Sequence, residues 1–497
     1  MLPFHSPAHE TRRHRLARTA FLVSAATLAG CAQVARQGGF ADVQGLVAAS
    51  GVHEPIEWRD DPAQEESVRA TVGRLVDREL TPETAVQIAL LNNPSLQATY
   101  EELGIAQASV VQAGLLENPV FSGAVLFGGV SPTYDLDVAQ GFLDALLIPA
   151  RERVAGAEFE RVKAEVGGAV FDLAAEVRAA FYALQGAEQI VAVLARSLEA
   201  AEASRDLAAK LREAGNVSDL QLATERALAE EVRTELLRAR AETVEPREHL
   251  RELLGLSTST AEWKIVSSLP GLPGRDPSLG ELLETASAKR LELAAARAQQ
   301  QVFAETLETT RFWRYLGLVD VGVANHKEQG EKNWVSGPSL ELEIPLFDQR
   351  QAEIAGIEAQ LRQSERKTES AQIAVAAEVR RAYGRLEAAR RLAENHRDAL
   401  IPARRRVVEL SQEFYDFMLL GAFELLAAKR EEIASWADYV DAVRDYWVAS
   451  AELERAVGAR IPLLAEARPM PLPLEANTAS PAAGAGEHAG RHSHGGH

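Results

Sequence analysis

The stretch AAEVRAAFYALQGA at residues 174–187 returns with few changes as AAEVRRAYGRLEAA at residues 376–389. An alternating stretch precedes each copy: YDLDVAQGFLD begins at Tyr134 and SLELEIPLFD begins at Ser339. Similar units that recur at a fixed distance are typical of an architecture built from repeats. The sequence therefore predicts two half-similar units that each pair short strands with long helices. It does not suggest a single catalytic pocket.

Alternation of apolar and polar residues predicts four strands, at about residues 119–128, 134–142, 317–326 and 334–345. Strands of about ten residues with one apolar side and one polar side are typical of outer-membrane barrels. Four strands cannot close a barrel, and open sheet edges are costly in lipid. The strands therefore either pack on a soluble core or are pooled by several chains.

The helical regions carry a coiled-coil pattern. From Leu173 to Ala201, apolar residues follow an alternating spacing of three and four positions, which favours close helix pairing. Helical hairpins are predicted over residues 152–255 and 352–460, and Pro402 is expected to kink the second one. The predicted fold class is mainly α, with long coiled-coil hairpins and a small β part.

The N-terminal segment has the features of a secretory signal peptide. Four arginines precede a short apolar run from Ala20 to Ala29. Leu28-Ala29-Gly30-Cys31 then resembles a bacterial lipobox, so cleavage before Cys31 and lipidation of its thiol are expected. Cys31 is the only cysteine in the chain, which excludes disulfides and thiolate metal sites elsewhere. The alternative is that Cys31 is a stray small apolar residue.

Charge and hydropathy limit the function further. The formal net charge is −19 and the pI is about 5.2, which argues against a nucleic-acid partner. Apolar runs long enough for a membrane-spanning helix are missing, so a membrane crossing would need β-strands. The sequence contains no nucleophile motif, phosphate loop or zinc-ligand spacing, so we expect neither an enzyme nor a cofactor.

Composition shifts divide the chain into five segments. Thr81-Pro82 is expected to start the first helix of the repeats, Asn93-Pro94 to interrupt it, and residues 256–275 to link the repeats. The predicted segments are a signal peptide at 1–30, a lipidated and irregular arm at 31–80, repeat 1 at 81–275, repeat 2 at 276–466, and a disordered His-rich tail at 467–497.

Several of these stretches together resemble the TolC-type outer membrane factors, the outer membrane efflux protein family. The most specific are LLNNPSLQA (90–98), AQASVVQAGLLENPVF (106–121) and SLELEIPLFD (339–348), beside the repeats around Glu176 and Glu378. The resemblance implies a homotrimer in which four strands per chain form a twelve-stranded barrel in outer membrane lipid. It also implies a helical tunnel through the periplasm that meets a periplasmic adaptor protein and an inner-membrane pump, here expected to be proton-driven.

The resemblance assigns roles to three sets of residues. The acids of the strands are expected to line the pore: Asp135, Asp137, Asp320, Glu341 and Glu343. The hairpin turns are expected to be adaptor-docking tips: Gly215, Asn216, Val217, Ser218, Asp219, Leu419, Leu420 and Gly421. Glu413 and Asp416, just before the second tip, are candidates for a periplasmic gate. Alternatively, the strand acids only keep a wide pore wet, and Glu413 and Asp416 are ordinary solvated residues.

The C-terminal tail is rich in histidine. His488, His492, His494 and His497 lie in the last ten residues, where imidazoles on a flexible chain would hold Cu, Ni or Zn loosely. Together with the acidic strands, this tail favours the heavy-metal efflux branch of the family. A drug or protein-export conduit of the same family is the first alternative. The alternative from another class is a periplasmic coiled-coil scaffold lipoprotein.

Overall fold

The computed structural model describes residues 34–127, 132–257, 262–315, 319–327 and 333–461. The predicted signal peptide, Cys31 and the four tail histidines lie outside these residues, so their assignments stay predictions. The described chain consists of twelve α-helices, one π-turn and four β-strands.

The helices of the first half are α1 Phe40–Ala49, α2 Pro62–Val76, α3 Pro82–Asn92, α4 Pro94–Ala113, α5 Phe142–Glu213, α6 Asp219–Glu242 and α7 Val244–Leu253. Those of the second half are α8 Leu279–Lys289, α9 Leu291–Trp313, α10 Gln351–Asn395, α11 Ile401–Asp416 and α12 Ala422–Val457, with the π-turn His396–Leu400 between α10 and α11. The strands are β1 Val120–Leu126, β2 Thr133–Gly141, β3 Val319–Lys327 and β4 Val335–Leu342.

The sequence analysis predicted an irregular N-terminal arm, and this prediction is wrong. The arm contains α1 and α2. Phe40, Val43 and Val47 are buried at helical spacing on α1, and the ring of Phe40 packs edge-on against Tyr100 at 5.1 Å. The carboxylate of Asp61 caps α2 by accepting a hydrogen bond from the Ala63 amide. The acidic composition of the arm concealed this short apolar stripe.

The predicted start and break of the first helices of repeat 1 are confirmed. Thr81 caps α3 by accepting a hydrogen bond from the Thr84 amide, and Pro82 occupies the first helical position. Helix α3 ends at Asn92 and α4 begins at Pro94. The Asn93 side chain stabilises the junction because its Oδ1 accepts a hydrogen bond from the Leu96 amide.

The four strands form one antiparallel sheet in the order β1-β2-β3-β4. Each repeat contributes one hairpin, and β2 pairs with β3 to join the two hairpins. All four predicted strands are therefore confirmed, with ends that differ from the predicted ones by one to three residues. The helix that follows β2 differs more from its prediction. Helix α5 begins at Phe142, ten residues earlier than predicted, and continues through Pro149.

The first long hairpin is packed as the heptad pattern predicts. In the first hairpin, Leu194 contacts Leu236 and Ala239, and Ala201 contacts Ala229 and Val232. Small alanine side chains let the two helices approach closely along this seam. The return arm is divided at Thr243 into α6 and α7, a break that the sequence analysis did not predict.

The second hairpin is interrupted before Pro402 by a π-turn. Pro402 has no amide hydrogen and cannot close the usual helical turn onto Asp398. The amide of Ile401 instead donates to the carbonyl of His396, five residues back. The irregularity expected from Pro402 is therefore a widened turn, which is a known way to accommodate local misfit inside a helix.

The internal repeat is visible in how the return helices end. Gly255 follows α7 and Gly458 follows α12, and both have a left-handed backbone with φ of 64° and 73°. Residues with a Cβ rarely adopt this conformation, so glycine recurs at the same place in both repeats.

The chain forms two compact units that do not coincide with the repeats. One comprises residues 34–46, 98–167 and 291–370, and the other comprises residues 47–97, 168–290 and 371–461. The first unit contains the sheet, and the second contains both hairpin turns. Among the described helices, none is both long and apolar enough to cross a membrane.

Candidate functional site

The strand register places four of the predicted pore-lining acids on one face of the sheet. Asp137 lies opposite Ser122, Asp135 lies opposite His326, and Asp320 lies opposite Glu341. Side chains two residues apart on a strand share a face, so Asp135, Asp137, Asp320 and Glu341 belong to the same one. Glu343 follows the end of β4 and is exposed. We call the face of the four acids the acidic face.

The opposite face of the sheet is apolar and exposed. Its members alternate along all four strands with the residues of the acidic face. They include Phe121, Val125, Tyr134, Val138, Val321, Val323, Leu340 and Leu342. Exposed apolar patches of this kind mark surfaces that contact a partner or a membrane.

His326, which the sequence analysis did not single out, belongs to the acidic face. The Nδ1 of His326 contacts the Oδ1 of Asp135 across the β2–β3 pair, and both side chains are partly exposed. The two residues are 191 positions apart in the sequence. The only signal that could have revealed the pair is the register between strands of different repeats.

The first hairpin turn has a defined geometry. Gly215 has φ of 79°, and the Asn216 amide donates to the Leu211 carbonyl to close the end of α5. Ser218 caps α6 by accepting a hydrogen bond from the Gln221 amide. Arg212 then donates from Nε and Nη2 to the two carboxylate oxygens of Asp219, at 2.6 and 2.9 Å. This pairing lowers the pKa of Asp219.

The second hairpin turn is apolar and projects into solvent. Met418 has φ of 58° and is 94% exposed, and Phe417 and Leu419 are also exposed. The predicted gate residue Glu413 is exposed, and Asp416 accepts a hydrogen bond from Gln412 at 2.8 Å. Both predicted tips are therefore accessible turns, but among the described residues neither gate candidate forms a hydrogen bond or an ion pair with the first hairpin.

Glu225, which the sequence analysis missed, is one of the residues that connect the two hairpins. It lies on α6 and is 5% exposed. Its carboxylate accepts hydrogen bonds from Ser204 on α5 at 2.8 Å and from Gln221 at 3.1 Å, and it lies 3.9 Å from Nη1 of Arg430 on α12. A buried carboxylate needs partners, and here one of them comes from the other hairpin.

The repeated motif itself borders a cavity of about 340 Å³ between α5, α7, α10 and α12. Alanines form much of its lining, and the charged groups Arg385 and Glu378 of the lining both have ion-pair partners. Arg385 contacts Glu452 at 2.6 Å, and Glu378 contacts Arg290 at 2.9 Å. The described lining contains no serine, threonine or cysteine that could act as a nucleophile. This arrangement is typical of helix packing.

Metal ligation was predicted only for the tail. Among the described residues, no group of three or more histidine, cysteine or acidic side chains is arranged to hold a metal ion. The predicted ligands His488, His492, His494 and His497 lie outside these residues.

Comparison with known proteins matches part of the chain to a family. Residues 282–459 match the profile of the outer membrane efflux protein family. The chain contains an outer membrane efflux protein domain. The predicted family resemblance is thereby confirmed.

Relatives of known name extend the match over most of the chain. CyaE of Bordetella pertussis is 26% identical over 379 residues, which cover 70% of this chain and 77% of CyaE. The cobalt-zinc-cadmium resistance protein CzcC of Cupriavidus metallidurans is 22% identical over 385 residues, which cover 76% of this chain and 90% of CzcC.

Among solved structures, CusC is similar with a TM-score of 0.62 at 16% identity, over 77% of this chain and 92% of CusC. At this identity the likeness shows the fold. The predicted fold class, with long helical hairpins and a small sheet, is therefore confirmed as that of TolC-like outer membrane channels.

Proposed function

We propose that this outer membrane efflux protein is the channel of a tripartite efflux system and exports heavy-metal cations. The observation that carries the proposal is the two-faced sheet. Its apolar face is exposed, and its acidic face carries four carboxylates on the same side of the sheet. In a barrel, the apolar face would meet lipid and the acidic face would line the water-filled bore.

Assembly into a trimer would pair the open edges of the sheet with those of neighbouring copies. In the sheet that the structure describes, β1 and β4 each have one unpaired edge, and such edges are too costly in lipid to stay open. Proteins of this family form trimers and act with an adaptor and an inner-membrane pump. Three copies of this sheet would close into the predicted twelve-stranded barrel in the outer membrane. The proton-driven pump, and a lipid anchor on Cys31, remain predictions from the sequence.

Two observations favour metal cations as the substrate. A bore lined by carboxylates concentrates cations and repels anions. The relative CzcC is named for resistance to cobalt, zinc and cadmium. The competing assignment within the family is a drug or protein-export conduit. A periplasmic coiled-coil scaffold, the alternative from another class, gives no reason for the exposed apolar face of the sheet.

The proposed mechanism is passive, and the chain carries out no chemistry. The hairpin turns would dock the adaptor, with Gly215 to Asp219 at one tip and Leu419 to Gly421 at the other. The exposed side chains of Phe417, Met418 and Leu419 suit insertion into an apolar groove of that partner. Glu413 and Asp416 would add negative charge at the same end.

The contact between Glu225 and Arg430 is the candidate latch that keeps the hairpins together at rest. Glu225→Gln keeps the size of the side chain and removes the charge that faces Arg430. We expect the open fraction of the reconstituted channel to rise roughly tenfold, which corresponds to losing about 1.4 kcal/mol of closed-state preference. Single-channel recordings measure this fraction. The matched control is Glu230→Gln on the same helix, whose partner Arg233 belongs to that helix, and it should leave the open fraction unchanged. An unchanged Glu225→Gln channel would remove the latch role.

A growth panel tests the function as a whole. A strain that lacks the protein would be exposed to copper, silver, zinc, cobalt, nickel and a set of lipophilic drugs, and complemented with the full chain or with a chain that ends at Leu474. We expect sensitivity to metals alone, restored by the full chain. Failure of the shortened chain would assign metal handling to the tail histidines. Sensitivity to drugs alone would contradict the metal assignment and favour the drug conduit.

A further inference from the structure

His326 is the one histidine that the described strands place on the acidic face. It is the next-to-last residue of β3, and it pairs with Asp135 of β2 on one side and with Val335 of β4 on the other. Its Nδ1 contacts the Oδ1 of Asp135. The side chains of His326 and Asp135 are 45% and 31% exposed, so the pair is in reach of solvent.

The charges that face His326 are nearly all negative. From β2 these are Asp135, opposite, and Asp137, two residues further along the same face. From β4 the described residues on this face are Val335, Gly337, Ser339 and Glu341, so the only acid is at the far end. On β3 itself, Asp320 shares the face. Lys327 lies on the other face with its Nζ 6.0 Å from the Trp334 ring centroid. Glu328, Glu331 and Lys332 follow in the sequence, outside the described residues.

We propose that His326 is a selectivity-determining residue whose protonation sets how negative the acidic face is, an inference that rests on the proposed channel function. Imidazole is the side chain that ordinarily changes charge between about pH 5 and about pH 8. When His326 is neutral, Asp135 contributes a full negative charge to the bore. When His326 is protonated, the two groups form an ion pair, and the negative field that attracts cations is reduced.

The size of the effect follows from the number of charges. One positive charge per chain is set against the four carboxylates of the acidic face, and a trimer carries three copies. A bore lined by one sign of charge selects ions through its summed field. We therefore expect a graded change, with stronger cation preference at higher pH and weaker preference at lower pH, and no closure of the channel.

The test is to measure ion selectivity against pH in planar bilayers with the full-length protein. The reversal potential in a KCl gradient gives the permeability ratio of K⁺ to Cl⁻. For the unchanged protein, we expect this ratio to fall roughly twofold between about pH 8 and about pH 5.5. His326→Gln should keep the cation preference seen at high pH and lose the fall. His326→Lys should hold the low ratio at both values. The control His249→Gln, on α7, should keep the pH dependence of the unchanged protein.

The outcomes separate this inference from the channel function. If His326→Gln falls with pH as far as the unchanged protein does, the titrating group is another one and the inference is overturned. An unchanged protein whose selectivity is independent of pH overturns it as well. A protein that forms no channel in bilayers contradicts the proposed function itself.

Discussion

Replacing Glu454 with alanine is expected to destabilise the protein by about 3–5 kcal/mol, because the change leaves the buried Arg178 without its opposite charge. Arg178 lies in the repeated motif on α5 and is 3% exposed, and Glu454 on α12 is fully buried. The Oε2 of Glu454 lies 3.3 Å from the Arg178 Nε. Its Oε1 accepts a hydrogen bond from the Ile461 amide.

Burial makes each charge of this pair depend on the other, because both have lost their contact with water. Removal from water lowers the pKa of Arg178, and the charge of Glu454 acts in the opposite direction. Without Glu454, the guanidinium would keep its desolvation cost and lose the attraction that offsets it. Replacing both residues together, Arg178→Leu with Glu454→Leu, should cost much less than Glu454→Ala because neither charge is left alone.

The chain offers a matched control two residues away. Glu452 lies on the same helix and contacts Arg385 at 2.6 Å, but both side chains of that pair are about half exposed. Glu452→Ala should therefore cost less than about 1 kcal/mol. Thermal unfolding of the detergent-solubilised protein, followed by circular dichroism, would compare the variants. Equal losses for Glu454→Ala and Glu452→Ala would show that burial does not decide the strength of the pair.

Neutralising the acidic face is expected to lower the ratio of cation to anion permeability by roughly tenfold. The variant combines four substitutions: Asp135→Asn, Asp137→Asn, Asp320→Asn and Glu341→Gln. The register places these side chains on one face, so together they set the field of the bore that we propose. Their amide replacements have nearly the same size and should leave the sheet folded.

The measurement is the reversal potential in planar bilayers, with the trimer checked first by gel mobility. As a control of equal charge change, Glu65, Glu66, Glu230 and Glu231 on helices α2 and α6 would be replaced with glutamine. We expect that control to keep its cation preference. If the acidic-face variant keeps its preference as well, those carboxylates do not line the bore, and the channel geometry proposed here is wrong.

Local sequence signals located most of the elements. The alternation around Asp135 and Glu341 predicted strands that the structure confirms, and Thr81-Pro82 and Asn93-Pro94 marked helix ends within one residue. These signals work because side-chain direction, capping and the geometry of proline act over a few residues. Where several weak local signals compete, the prediction was wrong. The arm predicted to be irregular contains the helices α1 and α2.

The amino-acid order alone predicts the repeated architecture, the two-faced strands, the heptad seam and the family resemblance, because each is visible in short stretches of sequence. Which distant residues meet depends instead on how the segments pack in the folded chain. The tertiary structure pairs His326 with Asp135 through the register of β2 and β3, Glu225 with Arg430 across two hairpins, and Arg178 with Glu454 inside the helical packing. A one-residue slip in register or a rotated helix would preserve every local pattern and break these pairs. Such contacts are fixed by packing between segments that the sequence leaves far apart.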